Sequence, residues 1–380
     1  MLVPSPEYEA IRLASSARFG DDEGERLRAL VGRELDWDRL FYEATYHGVQ
    51  PVVYSRLRLL VEPDARVAGL ERAIRLLHQH VSARTAYSLF LAAEMARLAG
   101  GLARESVPFL VLKGPSLADA YGGFARRPFV DNDLLIRRAD FNRLGVVLES
   151  LGFHRRARTP LRLAGYLYIH GEFSFSRTLT GQVSTVDVHT AVVPPGLPYQ
   201  ERFETLLGRG RMVGVGGTDV PVLSWEDLLI ALSLNGFKDQ WYRLRLVADV
   251  AATARMVSDW DAVFQRTDAA RSRRMLTVAL LLAVREGGLV LPAPILSRIE
   301  ADPAAVRLSE WTRQKIQISS SAGTLPWADR VRLNMRSQDS VTGRVRYALF
   351  SAVRRITEAY VDPEQAEVRR ARSEAQSQSR

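Results

Sequence analysis

Residues 129–136 read Phe-Val-Asp-Asn-Asp-Leu-Leu-Ile, two carboxylates one residue apart in an otherwise apolar run. The run has the length of a buried strand, and alternation along a strand puts residues i and i+2 on one face. Asp131 and Asp133 therefore project side by side, while Asn132 points away. Two unpaired carboxylates on one face repel and are costly to bury. They need cations, and hard oxygen ligands at this spacing suit Mg²⁺ or Mn²⁺. The EF-hand is excluded, because its following glycine and distal glutamate are missing.

A third acid lies in Thr185-Val186-Asp187-Val188-His189, another alternating β-branched segment. Asp187 shares its face with Thr185 and His189, opposite Val186 and Val188. If this strand lies beside the first, three carboxylates converge, the arrangement a two-metal site needs for in-line phosphoryl displacement. Upstream, the apolar run Val107–Leu112 ends at Lys113-Gly114-Pro115-Ser116, where a short helix begins. Glycine lets the backbone approach an anion and a helix start offers N–H groups, so this turn can cradle phosphate. It is not a Walker A loop, whose glycine spacing before lysine is absent.

Around these segments the hydrophobic period sets the organisation. Residues 1–104 are a helical N-terminal region without strand pattern, with Tyr8–Ala17, Glu23–Leu30, Trp37–His47, Val53–Leu60 and Leu70–Leu98 at three-to-four spacing. His47, Trp37 and His78 there are expected to be packing or surface residues. Residues 105–223 form an α/β core of α+β class, with strands at 107–112, 129–136, 153–158, 166–177 and 183–193. Helices are expected at Ser116–Tyr121 and Ala139–Leu151, and the last two strands pair through Thr180-Gly181. Residues 224–310 return to helix, opening at a Ser224 N-cap with Asp227 at N3. Residues 311–380 are an extension with a loop at Ser319–Gly323, a helix over Gly343–Tyr360 and a basic tail expected to be disordered from 366.

Composition narrows the partners. The chain has no cysteine, which excludes disulfides, thiolate metal sites and cysteine nucleophiles. No run reaches the roughly 18 apolar residues of a membrane span. The first ten residues lack the basic flank and apolar run of a signal peptide, so a soluble, cytoplasmic protein without membrane partner is expected. The net charge of +9 favours acidic partners such as nucleotides. All but three of the 52 basic residues are arginine, a codon-bias pattern that does not by itself favour nucleic acid. Of the three lysines, one stands at the phosphate turn, where a compact charge matters most.

The run LKGPSLADAYGGFARRPFVDNDLLIRRADFNRLGVVLESLGF (112–153), followed by VDVHTAV (186–192) and RLRLVADVA (243–251), resembles the uncharacterised nucleotidyltransferase family of the DNA polymerase β-like superfamily. The helices around WDRLFYEATYHGVQPVVYSRL (37–57) match more loosely. The shared pattern is a Lys-Gly turn, an Arg-Pro four residues before Asp-x-Asp, and a third Asp before a histidine. The resemblance implies a polymerase-β-like domain with a small mixed sheet flanked by helical regions. It implies Asp131 and Asp133 as ligands to both metals, and Asp187 as ligand of the catalytic metal and activator of the acceptor hydroxyl. Gly114 and Ser116 would hold the triphosphate of an NTP, with Lys113 and Arg127 on phosphate or organising the acids. Pro115, Asn132 and Asn235 depart from the family's usual residues.

The implied reaction transfers a nucleoside monophosphate from an NTP to a hydroxyl of an unidentified acceptor, with Mg²⁺ or Mn²⁺, releasing pyrophosphate. The alternatives are a catalytically silent nucleotide- or partner-binding module of the same fold, and an antitoxin-type modifier of RNA or protein docking through the tail. Lys238, Arg243 and Arg245, near Asp249, could reach the cleft from the C-terminal helices, but i,i+4 surface pairing such as Arg245 with Asp249 is the expectation.

Overall fold

The computed structural model describes residues 4–33, 35–60, 69–155 and 172–361. Five helices come first: α1 (Pro6–Ala14), α2 (Asp21–Val31), α3 (Trp37–His47), α4 (Gln50–Leu60) and α5 (Leu70–Arg104). Their starts follow local chemistry: Ser5 and Asp36 cap α1 and α3 by accepting from Tyr8 N–H and Arg39 N–H. His47 is buried as packing, with Nδ1 accepting from Leu244 N–H at 3.1 Å.

A seven-stranded mixed sheet follows. Its strands are β1 (Phe109–Val111), β2 (Asn132–Ile136), β3 (His154–Arg155), β4 (Glu172–Leu179), β5 (Gln182–His189), β6 (Arg211–Val215) and β7 (Thr218–Val222), in spatial order β3-β4-β5-β2-β1-β7-β6. Between β1 and β2 lies α6 (Pro115–Tyr121), and α7 (Phe141–Ser150) follows β2. The hairpin β4–β5 turns at Thr180-Gly181, as its sequence suggests. The strand expected at 129–136 begins only at Asn132, with Asp131 in the bend before it. The expected strand 183–193 ends at His189. Residues 156–158 and 166–171 of two other expected strands, and the tail from 366, lie outside the described residues.

Alternation sorts the sheet's side chains into two cores. Phe109, Val111, Leu134, Ile136, Val186 and Val188 face a cluster with the C-terminal half of α5 and with α7. Leu110, Leu112 and Leu135 face the opposite way, into a core shared by the N-terminal helices and the C-terminal ones. Asn132 lies on the α5 side, its amide donating to Leu91 O at 3.2 Å. Asp133 is therefore on the face that meets the helical core.

After α8 (Phe203–Arg209), the C-terminal helices are α9 (Trp225–Lys238), α10 (Leu244–Ala254), α11 (Trp260–Ala269), α12 (Arg273–Arg285), α13 (Ala293–Glu300), α14 (Pro303–Ala322), α15 (Trp327–Arg336) and α16 (Val341–Val361). Ser224 caps α9 by accepting from Asp227 N–H. The Asp227 carboxylate, fully buried, also accepts from Tyr199, Arg209 and Arg266 and so pins α9 to its neighbours. Gly236 lies against the buried Trp241 ring, where a Cβ would come within 2.2 Å. Ser319–Ala322 is not a loop but the last turn of α14: Ser319 and Ser321 hydroxyls donate to carbonyls three residues back, which keeps serine compatible with helix. Among the described residues no helix is long and apolar enough to cross a membrane.

Candidate active site

Strands β2 and β5 lie side by side and parallel, with Asp133 directly opposite Asp187 and Leu135 opposite His189. The carboxylates of two sequence-distant segments thus share one face at one end of the sheet, and Asp131 enters from the bend before β2. Burial and repulsion from Asp133 and Asp187 push the Asp131 carboxyl up to about 7. Burial would raise Asp133 too, but the Lys113 ammonium and a His189 Nε2 contact at 3.0 Å outweigh it and hold Asp133 well below the usual carboxylate range. Asp187 is raised by burial, with Asp133 and Glu172 adding to it, against a Ser174 hydroxyl that donates to its Oδ1 at 2.5 Å.

These oxygens suit a divalent cation in chemistry: hard donors, crowded enough that one of them resists ionising. Among the described residues no three acidic or histidine side chains are grouped as a cation cage. Asp133 contacts His189, and Asp187 accepts from Ser174.

Lys113 follows β1, whose next residue Leu112 donates its N–H to Asp133 O at 3.0 Å. Burial works against its charge, but Asp133, Asp239, Asp131 and Glu172 outweigh this and raise its pKa. Gly114 has φ 58° and ψ −103°, and a Cβ there would press 3.3 Å from the Phe129 ring. The position demands glycine on both counts. Ser116 is fully buried, and its hydroxyl accepts from Arg211 Nη2 at 3.0 Å, while Arg211 also pairs with Asp119 and stacks on Trp225. Arg127 is committed to Asp249, its guanidinium donating to both carboxylate oxygens, each at 2.7 Å, while Asp131 lies near enough to add to the stabilisation of its charge. Tyr121 donates to the same carboxylate. Asp249 is buried and partnered by Arg127, so the expected surface pair with Arg245 is corrected.

Glu172 escaped the sequence reading, and it brings in Lys238, which the sequence places on the C-terminal helices near Asp249. Glu172, opposite His189 in the β4–β5 ladder, lies 4.0 Å from His189 Nδ1 and accepts from Lys238 Nζ at 3.3 Å. Burial raises Glu172, yet Lys238 and His189 bring it below its ordinary value. His189, Glu172 and Lys238 line a narrow cleft with Lys113, Asn235 and the apolar face of α9, and Asp133 joins them through His189. An acid at a strand start carries no spacing signal. Lys238, a rare lysine, was the available hint.

A family model described as an uncharacterised nucleotidyltransferase matches residues 33–286, a span that contains all seven strands and the acids. The chain belongs to this family. The nucleotidyltransferase assignment thus rests on two-thirds of the chain, from α3 through α12, and α13–α16 lie beyond the match. No curated protein and no solved structure matches.

Proposed function

We propose that this nucleotidyltransferase moves a nucleoside monophosphate from an NTP to a hydroxyl of an acceptor, in the manner of the polymerase-β-like superfamily. The observation that carries the reading is the register of Asp133 opposite Asp187, with Asp131 on the same face and Lys113 at the end of the adjoining strand. Asp131 and Asp133 would hold two divalent ions, Mg²⁺ or Mn²⁺, with Asp187 on one of them; bound there, the ions supply charge neutralisation for the attacking and leaving oxygens.

The chain's own groups do the rest. Lys113 and the backbone around Gly114 face the β- and γ-phosphates and fix the α-phosphorus in line. Asp187 takes the proton of the acceptor hydroxyl as its oxygen bonds to the α-phosphorus, and the bond from that phosphorus to the bridging oxygen breaks, releasing pyrophosphate. His189 orients Asp133, and Glu172 with Lys238 braces His189. Ser116, engaged by Arg211, supports the turn, and Arg127 supports the scaffold through Asp249.

A silent module of the same fold is favoured by one observation: Ser116 and Asp187 are each engaged by a protein partner. In that reading NTP binds without transfer. Calorimetric titration with each NTP, with Mg²⁺ and then with EDTA, tests the shared premise. Binding that needs the divalent ion and is lost in Asp133→Asn supports the metal assignment; equal binding in EDTA rejects it.

A further inference from the structure

A second cleft opens where α3, α4 and α5 meet α6 and α10. Val130, the residue before Asp131, forms part of its wall. Five arginines line it, Arg84, Arg126, Arg127, Arg243 and Arg245, with His80 beside them, and no carboxylate is among its lining residues. Of these five, only Arg127 forms an ion pair among the described residues, with Asp249, whose carboxylate also attracts Arg245. The cleft is shaped around the others. The Arg245 stem packs over Gly48, where a Cβ would come within 3.2 Å of its Cδ, and Arg243 lies over the Tyr242 ring at 4.9 Å.

Like charges crowded in a partly dry cleft cost stability unless something compensates. The Nε atoms of Arg243 and Arg245 are buried and find no hydrogen-bond partner among the described residues. Repulsion from Arg127, and then burial, lowers the pKa of Arg245. Planar guanidinium forks match the oxygens of phosphate bidentately, as a spherical chloride cannot be matched, and several forks around one cleft suit a multiply charged oxyanion. Arg245 is also close enough to Asp131 to draw its carboxyl down, so a ligand held here lies beside the acids.

We propose that this arginine cleft binds a phosphate group of a substrate. It rests on the nucleotidyl-transfer reading only in calling the ligand a substrate; the site itself stands on Arg84, Arg126, Arg243 and Arg245, which form no ion pair among the described residues. Two sources share the chemistry, the terminal phosphates of the NTP and a phosphate carried by the acceptor.

Inorganic phosphate, titrated into the full chain in EDTA at constant ionic strength, is the probe. Wild type should bind it saturably, and Arg243→Gln/Arg245→Gln at least tenfold more weakly. The melting temperature of the ligand-free double variant should hold or rise, because repulsion is removed. Arg84→Gln, at an exposed position on the opposite wall, gives a second reading without risk to the core. Phosphate affinity unchanged in both variants, or no saturable binding in wild type, overturns the site. Repeating the titration with Mg²⁺ and saturating NTP separates the sources: displacement of phosphate assigns the cleft to the triphosphate, and undiminished binding assigns it to a phosphorylated acceptor. The EDTA arm reads the cleft even if metal-dependent NTP binding fails.

Discussion

At the scale of single residues, Lys113 carries the most. Its ammonium sits between four acids and the turn at Gly114, so it can serve a bound phosphate or the acids themselves. If it serves phosphate, Lys113→Ala weakens NTP and pyrophosphate binding alike, by about 1.5–3 kcal/mol for a lost charge-assisted bond. The ligand-free melting temperature then changes little. A lowered melting temperature with unchanged pyrophosphate affinity would instead make it a counter-charge for folding. Gly114→Ala forces a Cβ into a glycine-only conformation and against Phe129, and should cost about 1–3 kcal/mol in denaturant unfolding. An unchanged midpoint contradicts that geometry. Asp187→Ala should retain metal-dependent NTP binding while turnover falls by about 10²- to 10⁴-fold, the range of a general base. Near-normal turnover would remove Asp187 from the mechanism.

At the scale of elements, the Arg127–Asp249 pair ties the segment between α6 and β2 to α10. Asp249→Ala strands a buried guanidinium and should cost about 3–5 kcal/mol, whereas Arg127→Leu/Asp249→Leu should lose less than either single change. A double-variant loss equal to the sum of the two single losses would mean that the pair contributes no coupling. This pairing was hidden in the sequence because i,i+4 reasoning sees only neighbours on one helix. The acids of β2 and β5 were legible, since alternation fixes their faces and both strands have β-branched or apolar partners. The hairpin β6–β7 was not read from the sequence, although Gly216-Gly217 marks it: both glycines take positive φ, 58° and 80°, as a two-residue hairpin turn requires. Pro221 and the exposed Met212 blur the alternation there.

At the scale of the whole molecule, the α+β class followed from the change of hydrophobic period near residue 105, and the sheet bears it out as seven strands. The shared core of N- and C-terminal helices was not legible, because periodicity reports that a helix has a buried face but not what covers it. That core matters for function: it sets α9 and α10 against the acid-bearing face of the sheet, α9 lining one cleft and α10 the other. The central claim is transfer of the α-phosphoryl nucleoside unit. Purified protein, Mg²⁺ and a cell extract supplying acceptors should be incubated with each NTP carrying label at the α-phosphate, and in parallel at the γ-phosphate. The account predicts that α-label alone moves to a product, with γ-label leaving as pyrophosphate, and that Asp187→Ala forms that product about 10²- to 10⁴-fold more slowly. γ-Label in the product, or α-label transfer undiminished in Asp187→Ala, would contradict it.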